Sequence, residues 1–281
     1  MPSSSFSGTE QARKSVAKRL QDLRKDAGLT VQGLADLCGW NKAKTSRIEN
    51  VRTLPSGLDI RAWCEACGAE EQAADLIAAS RHAESLYVEW RRKNRTGMRR
   101  LQDDAVPLYE RTERFRSYCS RVIPGLLQTE HYAYELLGSV STFRQVPNDA
   151  REAARARVKR SEILHQRGHS FAFLIEEHVL YFQHGEAATM VEQLDYLSTV
   201  TRLPNVSLGV IPRAAPRAMW GQETFLMLDD QVAVELLTAE VTITQPSEVH
   251  MYARMFAELS LMAQHGAQAR HLIDTARHSF G

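Results

Sequence analysis

The chain has 281 residues, 43% of them hydrophobic and 25% charged, with a formal net charge of +1. Those numbers suit about two globular domains with real cores and exclude a histone-like polycation. No run approaches the ~18 apolar residues that cross a bilayer, and the N-terminus lacks the basic start and apolar stretch of a secretory signal, so a soluble, cytoplasmic protein is expected.

Residues 1–10 read as a flexible N-terminus. Residues 11–27 read as a helix, with Val16, Leu20, Leu23 and Ala27 on one face at i, i+4, i+7 and i+11. In it Arg13, Lys14, Lys18, Arg19, Arg24 and Lys25 oppose Asp22 and Asp26 alone, and local clustering outweighs the total charge when the partner is a polyanion. Gly28 ends this helix as a left-handed cap, and Thr30 offers the N-cap hydroxyl of a second, with Val31, Leu34, Ala35 and Cys38 as its apolar side. Gly39 stops that helix after two turns. Asn41 caps a third helix, 42–50, with Thr45 and Ile48 turned inward. Pro55 and Ser56 open a fourth through Cys67, which Gly68 ends, and a fifth runs from Glu70 to about Glu84, with an extension toward Trp90. Five short helices within 11–84 define a compact all-α domain.

Residues 85–105 read as a charged linker or helical extension. From 106 to 281 the pattern is α+β. The stretch "RVIPGLLQTEHYAYELL" has Pro-Gly punctuation before a helix capped by Thr129, and 149–167 form a basic, helix-like stretch. Strands are expected at 171–182, 206–212, 224–229, 232–237 and 240–244, and helices at 189–201, from 246 to about 264 and from 268 to 280. Charge follows this division. Residues 1–80 hold 11 Lys and Arg against 10 Asp and Glu, residues 81–121 hold 11 against 6, and residues 122–281 hold 13 against 18.

A helix, a tight Gly39 turn and a second helix starting at Asn41 have helix-turn-helix spacing, in which the second helix lies in the major groove of DNA. The residue types suit that position. Asn41, Lys42, Ala43, Lys44, Ser46 and Arg47 are the candidate base-facing residues, with Lys42 and Arg47 able to address guanine. Lys18, Arg19, Thr30, Gln32 and Arg52 are candidate phosphate contacts, and the linker cations Arg91, Arg92, Lys93, Arg95, Arg99 and Arg100 could add to them.

The segment "LQDLRKDAGLTVQGLADLCGWNKAKTSRIENVRTLPS" resembles the lambda-repressor/Cro type, or xenobiotic-response-element type, of helix-turn-helix through Arg24, Gly28, Leu29, Thr30, Leu34, Ala35, Gly39, Ile48, Glu49 and Asn50. The resemblance implies a structural pair between Arg24 and Glu49. Three positions bear on stability. Val51 stands where the family commonly has Gly, so Asn50 is expected to take the left-handed conformation. Thr45 replaces Val or Ile and Gly33 interrupts the second helix, each expected to cost roughly 1 kcal/mol. "VIPGLLQTEHYA", "RLPNVSLGVIP" and "GQETFLML" resemble the uncharacterised C-terminal domain of an actinobacterial lineage of these regulators. That likeness implies a transcriptional regulator whose gene neighbours one for a small partner protein. One module contacts only a few base pairs, so an operator-binding dimer is expected, with the C-terminal domain supplying much of the dimer contact and able to bind the partner or an unknown small-molecule effector. The likeness also leaves open an antitoxin-like protein that sequesters its partner and autoregulates.

Other constellations are weaker. The four cysteines, Cys38, Cys64, Cys67 and Cys119, are too irregular for a disulfide framework. The single C-x-x-C of Cys64 and Cys67 lacks the second ligand pair of a zinc site and reads as helix-core thiols. His178 and His184 with Glu176 and Glu177 lack the spacing of a metal motif. No cofactor, metal or catalytic constellation is expected. Trp220 beside Gly221 either rims a pocket or anchors a loop. The basic helix near Arg151–Arg160 either faces solvent and Glu partners or extends a DNA footprint.

Overall fold

The computed structural model describes residues 5–82, 87–89 and 97–281. The chain falls into two compact units, Met1–Tyr87 with Thr242–His250 and Val88–Val241 with Met251–Gly281.

Residues 5–82 of the first unit are all-α: α1 (Ser5–Asp26), α2 (Val31–Leu37), α3 (Lys42–Glu49), α4 (Gly57–Cys67) and α5 (Ala73–His82). α1 begins at Ser5, so residues 5–10 are helical where a flexible terminus was expected; residues 1–4 lie outside the described residues. The expected fifth helix splits into a 3-10 turn at Glu70–Gln72 and α5. Its extension toward Trp90 is overturned, because Tyr87–Glu89 form strand β1. One cluster holds the helices together: Val16 and Leu20 of α1, Leu34 of α2, Ile48 of α3, Ile60 and Trp63 of α4, and Leu76 and Ile77 of α5. Each large side chain buried there contributes about 1.5–3 kcal/mol of transfer free energy. Trp63 Nε1 donates to the Leu20 carbonyl at 2.9 Å, so the largest core residue buries no orphan donor.

Polar N-caps open the middle helices. Thr30 Oγ1 accepts from Gly33 N at 2.9 Å, Asn41 Oδ1 accepts from Lys44 N at 2.9 Å, and Ser56 and Asp59 form a reciprocal capping box. Gly33 has a local reason: a Cβ there would stand 3.3 Å from the capping Thr30 Oγ1.

From residue 97 the chain is α+β. The helices there are α6 (Arg99–Arg111), α7 (Glu130–Arg144), α8 (Ala150–Ser161), α9 (Ala187–Val200), α10 (Pro246–Leu261) and α11 (Gly266–His278). Its strands are β2 (Arg114–Cys119), β3 (Ser170–Glu176), β4 (Val206–Ile211), β5 (Phe225–Leu228), β6 (Gln231–Glu235), β7 (Ala239–Ile243) and β8 (Gln264–His265), in the sheet order β1-β7-β6-β5-β2-β3-β4-β8. β2, β3 and β4 run parallel; β5 pairs antiparallel with β2, β6 with β5 and β8 with β4.

Alternation sorts the faces of the parallel strands. Phe115, Phe171, Phe173, Ile175, Leu208 and Val210 join a core with Met190 and Leu194 of α9 and Ile273 of α11. Tyr118, in register with Leu174, and Glu176, two residues beyond Leu174, belong to the opposite face. There Phe225 packs edge-on to Phe256 of α10.

Three expectations change. β2 was not expected, because "RFRSYC" gives half its positions to Arg and Ser. The strand expected over 171–182 ends at Glu176, and Glu177–Tyr181 form a 3-10 turn whose Glu177 accepts the Arg213 amide at 2.8 Å. α6 runs across residues 105 and 106, where a linker or helical extension was expected to give way to the second domain. Its start is fixed from a distance: the Asp149 carboxylate accepts the Met98 and Arg99 amides at 2.8 and 2.9 Å.

Candidate nucleic-acid interface

α2 and α3 are joined at Gly39, whose φ of 70° sits in the left-handed region. The Trp40 amide bonds the Ala35 carbonyl and the Gly39 amide that of Asp36, a Schellman closure that sets the turn. Thr45 and Ile48 are buried beneath α3. The Thr45 hydroxyl, expected to cost stability, accepts the Trp40 indole N–H at 2.9 Å, which offsets its burial.

At 3.6 residues per turn, Lys42, Ala43, Ser46, Arg47 and Asn50 fall within an arc of roughly 140° opposite that buried pair. All five are exposed. Among the described residues, no side-chain partner holds Lys42 or Arg47. Asn50 lies on the arc though sequence reasoning assigned it no contact; its position eight residues after Lys42 was the available signal. Its amide donates to the Ser46 carbonyl at 2.8 Å. Asn41 spends its oxygen on the cap, leaving its amide nitrogen as the polar group for a partner.

Lys44 is placed apart from the arc. Its ammonium bonds Asp59 Oδ1 at 2.6 Å and lies 4.4 Å from the Trp40 ring centroid. Burial pushes the Asp59 carboxyl up, but the bonds from Lys44 and Ser56 outweigh it and hold the group below its ordinary range. Lys44 therefore ties α3 to α4.

Of the candidate phosphate contacts, Arg52 is exposed just past α3, Lys18 pairs with Asp22 one turn on, and Arg19 is exposed on α1. Thr30 caps α2, and Gln32 donates to Asp36 at 2.7 Å. Arg91, Arg92, Lys93 and Arg95 lie outside the described residues, while Arg99 and Arg100 pair with Asp103 and Asp104 along α6.

Arg24 and Glu49 form a buried pair. Arg24 Nε donates to Glu49 Oε1 at 2.6 Å and Nη2 to Oε2 at 3.2 Å, while Nη1 donates to the Leu29 carbonyl at 2.6 Å. One guanidinium thus ties α1 to the end of α3 and to the turn before α2. The end of α3 departs from expectation: Asn50 has φ −93° and Val51 itself takes φ 59°. The Schellman bonds, Val51 N to Ile48 O and Arg52 N to Arg47 O, require the left-handed residue one position beyond the cap.

The other constellations are otherwise engaged. Glu176 binds Arg217, the His178 ring bonds the Ser120 carbonyl, and His184 meets Tyr132 edge-on. Among the described residues no three His, Cys, Asp or Glu converge on a metal position. Burial pushes the thiols of Cys38 and Cys64 up to about 11 and that of Cys119 to about 12, so all three are protonated near neutrality. On α8, Arg155 reaches Glu130, but Arg157 turns to Gln128 at 2.6 Å and Arg160 to the Tyr109 ring. Those last two take neither expected role.

Residues 15–77 match a family described as a helix-turn-helix domain. Residues 15–77 are therefore of the helix-turn-helix class associated with DNA binding, in agreement with the α2–turn–α3 geometry. Residues 102–275 match the family described as "Domain of unknown function (DUF5753)". That match spans more than half of the chain, and the chain belongs to this family. No curated protein matches it. The pairing is that of a helix-turn-helix regulator with an uncharacterised C-terminal domain.

Proposed function

We propose that this protein is a sequence-specific transcriptional regulator, not an enzyme, that binds operator DNA in the cytoplasm, at the nucleoid, as a dimer. Its α3 enters the major groove, with Lys42 and Arg47 at base edges and Ala43 and Ser46 in close approach. Arg52, Arg19 and Lys18 serve the phosphates, Lys18 by exchanging Asp22 for a phosphate oxygen. The α+β unit supports dimerisation and control by a partner protein or small ligand.

The carrying observation is the uncommitted cations on the exposed arc of α3. Lys42 stands in the first helical turn, where a cation opposes the helix dipole by about 0.3–1 kcal/mol. A surface chosen for stability alone would hold an acid there, and a polyanionic partner reverses the sign of that cost. No helix among the described residues is long and apolar enough to cross a membrane.

The test is fluorescence polarisation with the gene's upstream DNA and a scrambled duplex across a salt series. Lys42→Ala and Arg47→Ala are expected each to lose about 1–3 kcal/mol of specific binding while the fold is kept. Full affinity and sequence preference in both variants would overturn the assignment. Weak, equal and steeply salt-dependent binding to both duplexes would favour the antitoxin-like reading, in which the partner protein carries the activity.

A further inference from the structure

A crevice of about 410 Å³ opens in the α+β unit beyond the carboxyl ends of β2 and β3, the end at which parallel sheets commonly hold ligands. Its floor is electrically neutral and internally satisfied. Glu176, 3% exposed, receives both terminal nitrogens of Arg217 at 2.8 and 2.7 Å and the Tyr118 hydroxyl at 2.9 Å. Burial, then the adjacent Glu176 charge, raises the Tyr118 phenol far above neutrality, so it remains a donor.

The wall is a loop pinned at three points. The Arg213 amide is held by Glu177 at 2.8 Å, and Arg217 is held by Glu176. Gly221 lies so close to the Tyr118 hydroxyl that a Cβ would come within 2.3 Å of it, which leaves room for glycine alone. This fixed loop nevertheless leaves Trp220 62% exposed. The Arg213 side chain is 78% exposed, with its Nε 3.9 Å from Glu177, beyond hydrogen-bond reach. On the other side, the His178 ring is fixed at 2.8 Å on the Ser120 carbonyl.

An indole and a guanidinium fork, both carried on that held loop and both left in water above a neutral floor, match a flat ring carrying one negative group. The volume falls toward the small end of ligand pockets and suits one or two fused rings. With Arg217 committed to Glu176, Arg213 offers one guanidinium to an anionic group. We infer that the crevice binds a small aromatic monoanion, with its ring on Trp220 and its carboxylate on Arg213. This names the ligand class for the control assigned above to the α+β unit, and it rests on that reading for its regulatory meaning alone.

The test is saturation-transfer NMR on the full chain with three probes: naphthalene-2-carboxylate, its neutral carboxamide, and cyclohexanecarboxylate. Naphthalene-2-carboxylate should bind at least about tenfold more tightly than either control. Arg213→Gln should abolish the preference for acid over amide, and Trp220→Ala the preference for the aromatic ring. Both side chains are exposed, so the fold should survive either change. No transfer at about 1 mM naphthalene-2-carboxylate, or the same preferences in both variants, would overturn the inference. Polarisation with DNA on the same samples separates the two readings: lost probe binding with DNA binding kept sinks the pocket, and the converse sinks the reader.

Discussion

At residue scale, three of the first four helices end on a left-handed glycine, Gly28, Gly39 and Gly68, and the other on Val51. The glycines were legible because a sequence shows Gly where φ must be positive. Val51 was not, since β-branched residues rarely adopt that region and the neighbouring Asn50 was the better candidate. The bond pattern decides it: both Schellman bonds close one residue later than the chemistry of Asn suggests. A left-handed L-residue costs about 1–2 kcal/mol, and glycine's extra unfolded-state entropy costs about 0.5–1. Val51→Gly is therefore expected to stabilise the first unit by about 0.5–1 kcal/mol, read as a higher midpoint in chemical denaturation, while Val51→Ala, which keeps the strain, should not. A lower midpoint for the glycine variant would show that Val51 packing outweighs its backbone.

At the scale of elements, α3 has two unlike sides. Thr45, Ile48, Lys44 and Glu49 attach it to the domain, and the intervening arc is left exposed. Periodicity made the inward pair and most of the arc legible. It could not reveal that Lys44 belongs to Asp59, fifteen positions away on α4, because the partner of a cation is a tertiary fact. The same limit hid β2, whose polar side positions break the apolar alternation, and the start of α6, capped by Asp149 from fifty residues on.

The Arg24–Glu49 pair is the sharpest test of how α3 is held. Both side chains are almost fully buried, at 8% and 6% exposure. Removing one partner strands the other charge, which costs about 3–5 kcal/mol, whereas replacing both by apolar groups avoids that penalty. Glu49→Ala should accordingly destabilise by about 3 kcal/mol, and adding Arg24→Met should recover roughly half of the loss. Calorimetric unfolding of the single and double variants measures this directly. A double variant as unstable as the sum of its single changes would mean that the Leu29 contact, and not the ion pair, carries the energy.

At the scale of the molecule, in the reading proposed above a single α3 brings too few side chains to base edges to specify an operator. Of Lys42, Ala43, Ser46 and Arg47, two carry cations that can address guanine, and each good bidentate contact discriminates by about 1–3 kcal/mol. Selection against a genome of competing sites needs about 4–10 kcal/mol, a range that two copies cover together and one covers only in part. Two copies related by a two-fold axis place their recognition helices about 34 Å apart, so the operator should contain two half-sites one helical turn from centre to centre. Inserting about 5 bp between them turns one half-site to the opposite face of the duplex while leaving every base contact in place. We expect that insertion to reduce specific affinity to that of an isolated half-site, and insertion of about one full turn to restore part of it. Sedimentation of the protein with each duplex, alongside polarisation, reads stoichiometry and affinity together. Affinity that ignores the spacing would mean that each chain reads DNA alone, and that specificity comes from contacts outside α3.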